Sequence, residues 1–422
     1  MKKLLLSSLL ASTVILTGCF KDDDTPIIIE ETTIIQNGGE TGSGTTVVNV
    51  TGAITENTTC TNDNIYKLNQ KVVVDAGTTL TIEAGTIIQG TPGTGSLASA
   101  LIIARGSKIN AVGTPSQPII FTSSTDNIEI GETAGTNLDK NDRGLWGGLI
   151  ILGNAPCSFS GDIVEAQIEG IPADDTFGLY GGTDPEDNSG VVSYISIRHG
   201  GALIGEGNEI NGLTLGGVGN GTIINNIEVV ANVDDGIEFF GGTVNASNLL
   251  VWAQGDDALD IDQAYSGTID NALVILGDFS DHAFEIDGPE GSATGSFTLQ
   301  NATIIGNTTT ENGEYADYRS GATGTTNNIY AYGFKASSDV ELDNDGVATN
   351  YNDGQLIFGT WELVLPEGVT DVTSLFVNKA DNVSVTDFGI TASAITEGEN
   401  TVGANTSSLS WTYSNDAGSL NF

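Results

Sequence analysis

From about residue 51 onward the chain is written in short runs where apolar and polar positions alternate, broken by Gly, Asn and Asp. Alternation with period two marks strands that turn one face to a core. No stretch keeps a 3.6-residue apolar period with capping residues for more than two turns, so helix is predicted to be nearly absent. The runs also repeat. Gly221-Thr222-Ile223, Gly242-Thr243-Val244, Gly267-Thr268-Ile269 and Gly295-Ser296-Phe297 align at steps of 21, 25 and 28 residues. Each is followed by an Asn and an apolar run, with Asn226, Asn248, Asn271, Asn301 and Asn328 forming the series. Each unit then carries an acidic bend: DDGIEF at 234–239, DDALDID at 256–262, DHAFEID at 281–287 and SDVELD at 338–343. An earlier pair of rungs begins at Gly77 and Gly106.

A unit this short cannot bury its apolar face alone, but copies stacked on one another can. The pattern therefore predicts an all-β chain built as a right-handed parallel β-helix, with rungs about 4.8 Å apart and like residues above like. The recurrent Asn fits a ladder in which each side-chain amide bonds its neighbours on adjacent rungs. The predicted organisation is a signal segment over 1–18, a flexible tether over 19–50, the solenoid with lateral loops over 51–345, and a C-terminal β cap over 346–422. Trp361, Phe376, Phe388 and Trp411 would cover the last rung and block edge-to-edge stacking.

Composition agrees with a packed body. Apolar residues make up 39% and mean hydropathy is +0.01, enough for a core and unlike a disordered acidic tail. The 55 Asp+Glu against 13 Lys+Arg give a formal charge of −42. That balance excludes nucleic acid as a partner, since phosphate binding needs basic surface. It equally opposes docking on anionic headgroups through protein charge.

The first residues read as an address. Lys2 and Lys3 precede an apolar run from Leu4 to Leu16 that is too short to span a bilayer. Leu16-Thr17-Gly18-Cys19 then resembles the bacterial lipobox, which implies cleavage before Cys19 and its diacylation, so that lipid ties a soluble body to the membrane. Phe20-Lys21-Asp22-Asp23-Asp24 resembles the Lys-plus-acidic signal that sends Bacteroidetes lipoproteins to the outer face of the outer membrane. The resemblance implies an outer-membrane lipoprotein exposed at the cell surface. The two remaining cysteines, Cys60 and Cys157, are predicted to pair as one structural disulfide in an oxidising compartment.

Over most of 60–345 the wording GTTLTIEAGTIIQG, ALIIARGSKINAVGT, WGGLIILGNAP, YISIRHGGA and EVVANVDDGIEFFGGT resembles a family of uncharacterised right-handed β-helix lipoproteins of marine and Bacteroidetes bacteria. The resemblance implies fold and address and carries no activity with it.

Three chemistries suit the acidic bends. Stacked carboxylates about 5 Å apart repel, so either some stay protonated or a cation lies between them. Ca²⁺ takes six to eight oxygens in flexible geometry, which Asp-rich turns supply. The candidate ligands are Asp235, Glu238, Asp260, Asp262, Glu285, Asp287, Asp343 and Asp345. A second reading is hydrolysis. Asn232-Val233-Asp234, Asp256-Asp257, Asp281-His282-Ala283 and Arg319 follow the order of the polygalacturonase pattern. The resemblance would make Asp256 or Asp257 the acid and Asp234 with the other carboxylate the activators of water, with His282 beside them and Arg319 holding the sugar. The sequence departs from that pattern at Val233, at the neighbours of His282 and after Arg319, where no Lys follows. A third reading is a Ca²⁺-dependent polysaccharide lyase, for which Arg198-His199 is the most suggestive pair.

The leading expectation is a surface lipoprotein that binds or adheres to polysaccharide without cutting it, its turns reinforced by Ca²⁺. Tyr265, Tyr315 and Tyr318 are expected to be exposed near the bends and to stack on sugar faces. The alternative is a polysaccharide hydrolase or lyase working along the same face.

Overall fold

The computed structural model describes residues 46–171, 175–204, 209–310 and 312–420. The signal segment, Cys19 and the tether up to residue 45 lie outside the described residues. Residues 46–50, read above as tether, belong to the first strand, Thr46–Ile54.

Every strand of the main body pairs in parallel with its counterpart on the next coil, as expected for a parallel β-helix. Three such ladders wall the coil. The acidic face runs through Leu213–Gly216, Ile237–Phe240, Leu259–Asp262, His282–Ile286, Glu314–Tyr318 and Val340–Leu342. A second face, called the strapped face, includes the later halves of Gly190–Arg198, Ile223–Val230, Asn245–Trp252, Thr268–Ile275, Phe297–Ile305 and Gly324–Tyr332. The earlier halves of the same strands form the third face.

One left-handed residue makes the corner between those halves. Asn226, Asn248, Asn271, Asn301 and Asn328 all have φ between 54° and 64°. Asn tolerates that conformation because its short amide bonds locally. The amides also bond between rungs: Asn248 Nδ2 donates to Asn226 Oδ1 at 3.1 Å, Asn271 to Asn248 at 2.7 Å and Asn328 to Asn301 at 2.9 Å. The expected ladder is present with one interruption, where Asn301 donates instead to Asp270 Oδ1 at 2.7 Å.

Inward positions stack Ile, Val, Leu, Phe and Tyr into one continuous core along the axis. On the acidic face, Phe239, Ile261, Ile286, Tyr318 and Leu342 are each at most 1% exposed. Tyr318 is therefore an interior residue, its hydroxyl 2.6 Å from Thr326 Oγ1. Tyr265 also turns inward and donates to Val244 O at 2.6 Å, and Tyr315 stacks on Phe334 with ring centroids 3.7 Å apart. Alternation turns Tyr318 inward, whereas the turn after Leu259–Asp262 brings Tyr265 in and stacking on Phe334 covers Tyr315; all three are buried, and none can stack on a sugar.

The expected disulfide is absent: Cys60 and Cys157 are free thiols. Cys60 ends the strand Thr58–Cys60 in the first coil, whereas Cys157 packs 3.4 Å from Phe240 O several coils further along. Four rung spacings put the two on the order of 20 Å apart, far beyond the reach of an S–S bond. Burial pushes each thiol up to about 12.

Parallel pairing does not stop at 345. Leu356–Phe358, Trp361–Leu363, Phe376–Asn378 and Ala392–Ala394 continue the ladders, with the helix Asp345–Asn352 set between them. Phe358, Trp361, Phe376 and Phe388 cluster edge to face inside these last coils. Trp411 is elsewhere, because the chain after Ile395 turns back and runs along the outside of the strapped face. It crosses one outward column whose members stand in register: Glu362, Tyr330, Thr303, Leu273, Leu250, Glu228 and Ser196. Thr401 N and Val402 N donate to Glu362, Gly398 N to Tyr330 Oη and Ala404 N to Thr303 Oγ1. Leu409 covers Leu250 and Leu273, and the backbone of Tyr413 and Ser414 ends on the buried Glu228 carboxylate.

Candidate functional site

The acidic groove is built by two features of each coil. The turn leaving the strapped face places an Asp over the backbone of the next turn. Asn211 Oδ1 accepts from Asp235 N at 3.2 Å, Asp235 Oδ1 from Asp257 N at 3.0 Å, and Asp257 Oδ1 from His282 N at 2.8 Å. These side-chain oxygens thus satisfy turn N–H groups that a strand ladder cannot reach. The strand that follows then presents one outward acid per rung. Glu238, Asp260, Glu285, Asp317 and Glu341 stand in register, one directly below the next. Although they point away from the core, they are only 5–9% exposed, because the turns wall them in.

Five stacked carboxylates need compensation, and the chain provides it at one end. Arg319 pairs with Glu285, and its Nε donates to Asp287 Oδ2 at 2.7 Å. Lys379 pairs with Glu341. His282 Nδ1 lies 2.8 Å from Asp257 Oδ1 and 3.9 Å separates its Nε2 from Asp281 Oδ1. Burial works against its charge, yet the bond to Asp257 and the nearby Asp281 and Asp317 carboxylates outweigh it and raise His282 to about 9. It is cationic at neutral pH.

The other end has no such partner. Asp235, Glu238 and Asp260 place oxygens within 4.8 Å of one another, and no basic side chain pairs with them among the described residues. Asn211 Nδ2 donates to Glu238 Oε2, but Asp260 Oδ1 is buried with no hydrogen-bond partner. Burial first, and then the Asp260 charge for Asp235 and Glu238 and the Asp257 and Asp262 charges for Asp260, pushes all three well above the ordinary carboxylate range. Asp234, also within 4.8 Å of Asp235 and Asp256, is raised to about 7 by burial and then by Asp256; Asp256 is raised to about 6 by burial and then by Asp257.

Ten of the residues singled out in the sequence therefore meet in one groove of about 390 Å³: Asp234, Asp235, Glu238, Asp256, Asp257, Asp260, Asp281, His282, Glu285 and Arg319. Asp262 and Asp287 occupy the next outward position, with Arg319 and Asp343 following on later rungs. Asp345 is not part of the site. It opens the helix Asp345–Asn352 and accepts from Asn382 N and Nδ2, which holds it below the usual carboxylate range. Arg198 and His199 are structural. Arg198 is 2% exposed beside Glu228, and His199, held down mainly by burial, has φ 62° and Nδ1 2.7 Å from Asp142 O.

Sequence reading missed three residues of this region. Glu169 reaches the groove from a lateral loop, with no repeat to signal it. Lys379 joins from beyond the assumed end of the solenoid. Phe279 is 67% exposed in the turn before Asp281, with the Arg143 guanidinium 4.7 Å over its ring. An aromatic residue between Asp278 and Ser280, off the alternating pattern, is the signal that marks it.

A 25-stranded parallel assembly with stacked in-register side chains defines a parallel β-helix. The family model described as a pectate-lyase like beta helix domain matches residues 52–414, and the chain belongs to that family. No curated protein matches the chain, and no solved structure does.

Proposed function

We propose that the protein is a cell-surface lipoprotein whose acidic face binds polysaccharide without cleaving it, through a groove organised by Ca²⁺ at Asp235, Glu238 and Asp260. The observation that carries this reading is Asp260: a carboxylate 9% exposed, in register with Glu238, whose Oδ1 has no partner. Leaving such a group unpaired is costly, and a divalent cation is the ligand that an all-oxygen cluster compensates best. Further down the same column, Arg319 and Lys379 supply the positive charge that this end lacks. Bound Ca²⁺ would neutralise the cluster and present open coordination positions toward Asp234 and Asp256, where sugar oxygens can reach it. With the tyrosines buried, the exposed Phe279, two residues before Asp281, would be the aromatic side chain available to a sugar near the groove. Cys19 would carry the lipid, placing the body at the outer membrane surface.

Cleavage is the second reading, favoured by proton-bearing carboxyls beside a cationic His282 in one groove. The pair Asp234 and Asp256 fits inversion poorly, since their oxygens lie within 4.8 Å and an inverting mechanism separates its carboxyls by about 6.5–9.5 Å. Arg319 is already engaged by Glu285 and Asp287.

The deciding experiment titrates the protein with Ca²⁺ by calorimetry, then incubates it with a polysaccharide panel while following retention, new reducing ends and unsaturated products. Retention without product supports binding. Turnover lost in Asp257→Ala or His282→Ala overturns it, and absence of any Ca²⁺ heat or melting shift removes the cation.

A further inference from the structure

A second cavity, of about 440 Å³, lies on the strapped face, well separated in the fold from the acidic groove. Its origin is a seam. The outward column of this face is unusually apolar and needs cover along its length. At the upper end Ile65, Ile87 and Ile120 stand in register above Ser196, and Ile128 from the lateral loop between 124 and 146 covers them. At the lower end the returning C-terminal segment covers Leu250 and Leu273. The two covers do not touch edge to edge. The cavity is the space between them, with Thr133 and Ala134 on one side, Trp411, Tyr413 and Asp416 on the other, and Pro115 and Pro118 at the rim.

The lining has a definite chemistry. Arg198 at the floor is 2% exposed and already committed: Nε donates to Ser196 Oγ at 2.7 Å, Nη1 to Thr133 O at 2.8 Å, and its charge is balanced by Glu228 and by the Tyr413 ring 4.4 Å away. The floor therefore offers no free cation to an anionic ligand. Trp411 is held edge to face on Tyr194 with centroids 5.4 Å apart, and its Nε1–H is shielded from solvent without a partner among the described residues. The exposed Asp416 carboxylate, whose side chain makes no hydrogen bond among the described residues, is the acceptor at the rim. Flat apolar walls and one free acceptor at the rim suit a ligand with an apolar ring face and a hydroxyl edge.

We infer that the seam pocket between the lateral loop and the C-terminal strap binds a neutral pyranose unit, stacked on Trp411 and hydrogen-bonded to Asp416. The site is independent of the acidic groove and needs no metal.

The test titrates the full chain with cellobiose, maltose, lactose, mannobiose and xylobiose, following tryptophan emission and calorimetric heat, with and without EDTA. The inference expects a saturable response to at least one of them, weakened at least tenfold by Trp411→Ala and by Asp416→Ala. Asp416→Ala is the informative variant, since its exposed side chain takes no part in anchoring the strap. The response should survive EDTA and Asp260→Asn. No saturable binding, unchanged affinity in Asp416→Ala, or loss on adding EDTA would each overturn it, and the last would return the sugar to the acidic groove.

Discussion

Asp260 lies directly below Glu238 on consecutive rungs, both less than a tenth exposed, with no basic side chain paired to either among the described residues. Two such groups cannot both stay ionised at this distance without a cation. Ca²⁺ bound at this pair, as proposed above, would couple stability to divalent metal. Asp260→Asn removes one charge and keeps the shape. It is expected to raise the melting temperature of the metal-free protein by a few degrees and to abolish the further rise expected when Ca²⁺ is added to the parent chain. Differential scanning calorimetry in EDTA and in Ca²⁺ checks both halves.

The pH dependence has a fixed sign. Asp234 at about 7, Asp256 and Asp317 at about 6, and the more deeply buried Asp235, Glu238 and Asp260 all sit above their unfolded values near 4. The folded state holds more protons than the unfolded chain, so stability falls as pH rises from about 4 to 7. His282, raised to about 9, adds a contribution that is full below about 6.5 and fades toward 9. Metal-free protein should thus melt higher at pH 5 than at pH 8, and saturating Ca²⁺ should narrow the gap. A metal-free melting temperature that rises between pH 5 and 8 would contradict the arrangement.

Arg319 compensates the acids of the later rungs. Arg319→Met leaves Glu285 and Asp287 uncompensated and should destabilise the protein by about 2 kcal/mol, discounted from fully buried pairs because the guanidinium is partly exposed. Ca²⁺ should recover part of that loss. Urea denaturation with and without the ion measures both.

The strap ends on one carboxylate. Glu228 is fully buried and accepts from Ser414 N at 2.7 Å, Ser414 Oγ at 2.6 Å and Tyr413 N at 3.2 Å. Glu228→Ala orphans these donors and Arg198 together, at a cost of about 3–5 kcal/mol. Limited proteolysis should then cut within 395–420 long before the coils are attacked. Leu409→Ala, which uncovers Leu250 and Leu273, should loosen the same segment for about 2–4 kcal/mol.

The thiols supply a simpler check. Cys60 is buried and Cys157 half-buried; both are unpaired and held protonated to about pH 12. Reductant should leave the melting temperature unchanged, and a thiol reagent should react with both only after denaturation.

Where sequence reading succeeded, the determinant was local. The Asn corners were legible because a left-handed residue must be tolerated at every repeat, and Asn226, Asn248 and Asn271 recur in fixed relation to the apolar runs. The candidate groove was legible for the same reason: Asp234, Asp256 and Asp281 hold the same place in successive repeats, and stacking brings them together. Where it failed, the determinant was a choice between equivalent surroundings. Tyr265 and Tyr318 neighbour the acidic bends in sequence, but which way each ring points depends on pleat and turn closure. Cys60 and Cys157 looked like partners only while their separation in rungs was unknown.

By itself the sequence determined the β-helix, its approximate rungs and the stacking of its acids, because strand alternation and turn chemistry act within one repeat. Only the tertiary structure decided how those acids are balanced. Arg319 reaches Asp287 across 32 residues of chain, Lys379 arrives from a later coil, and Asp260 is left with none. It also decided that the last residues return along the molecule, where Ser414 meets Glu228 across a separation of 186. Charge compensation and strap docking depend on which rungs become neighbours, and no repeat within a single coil encodes that.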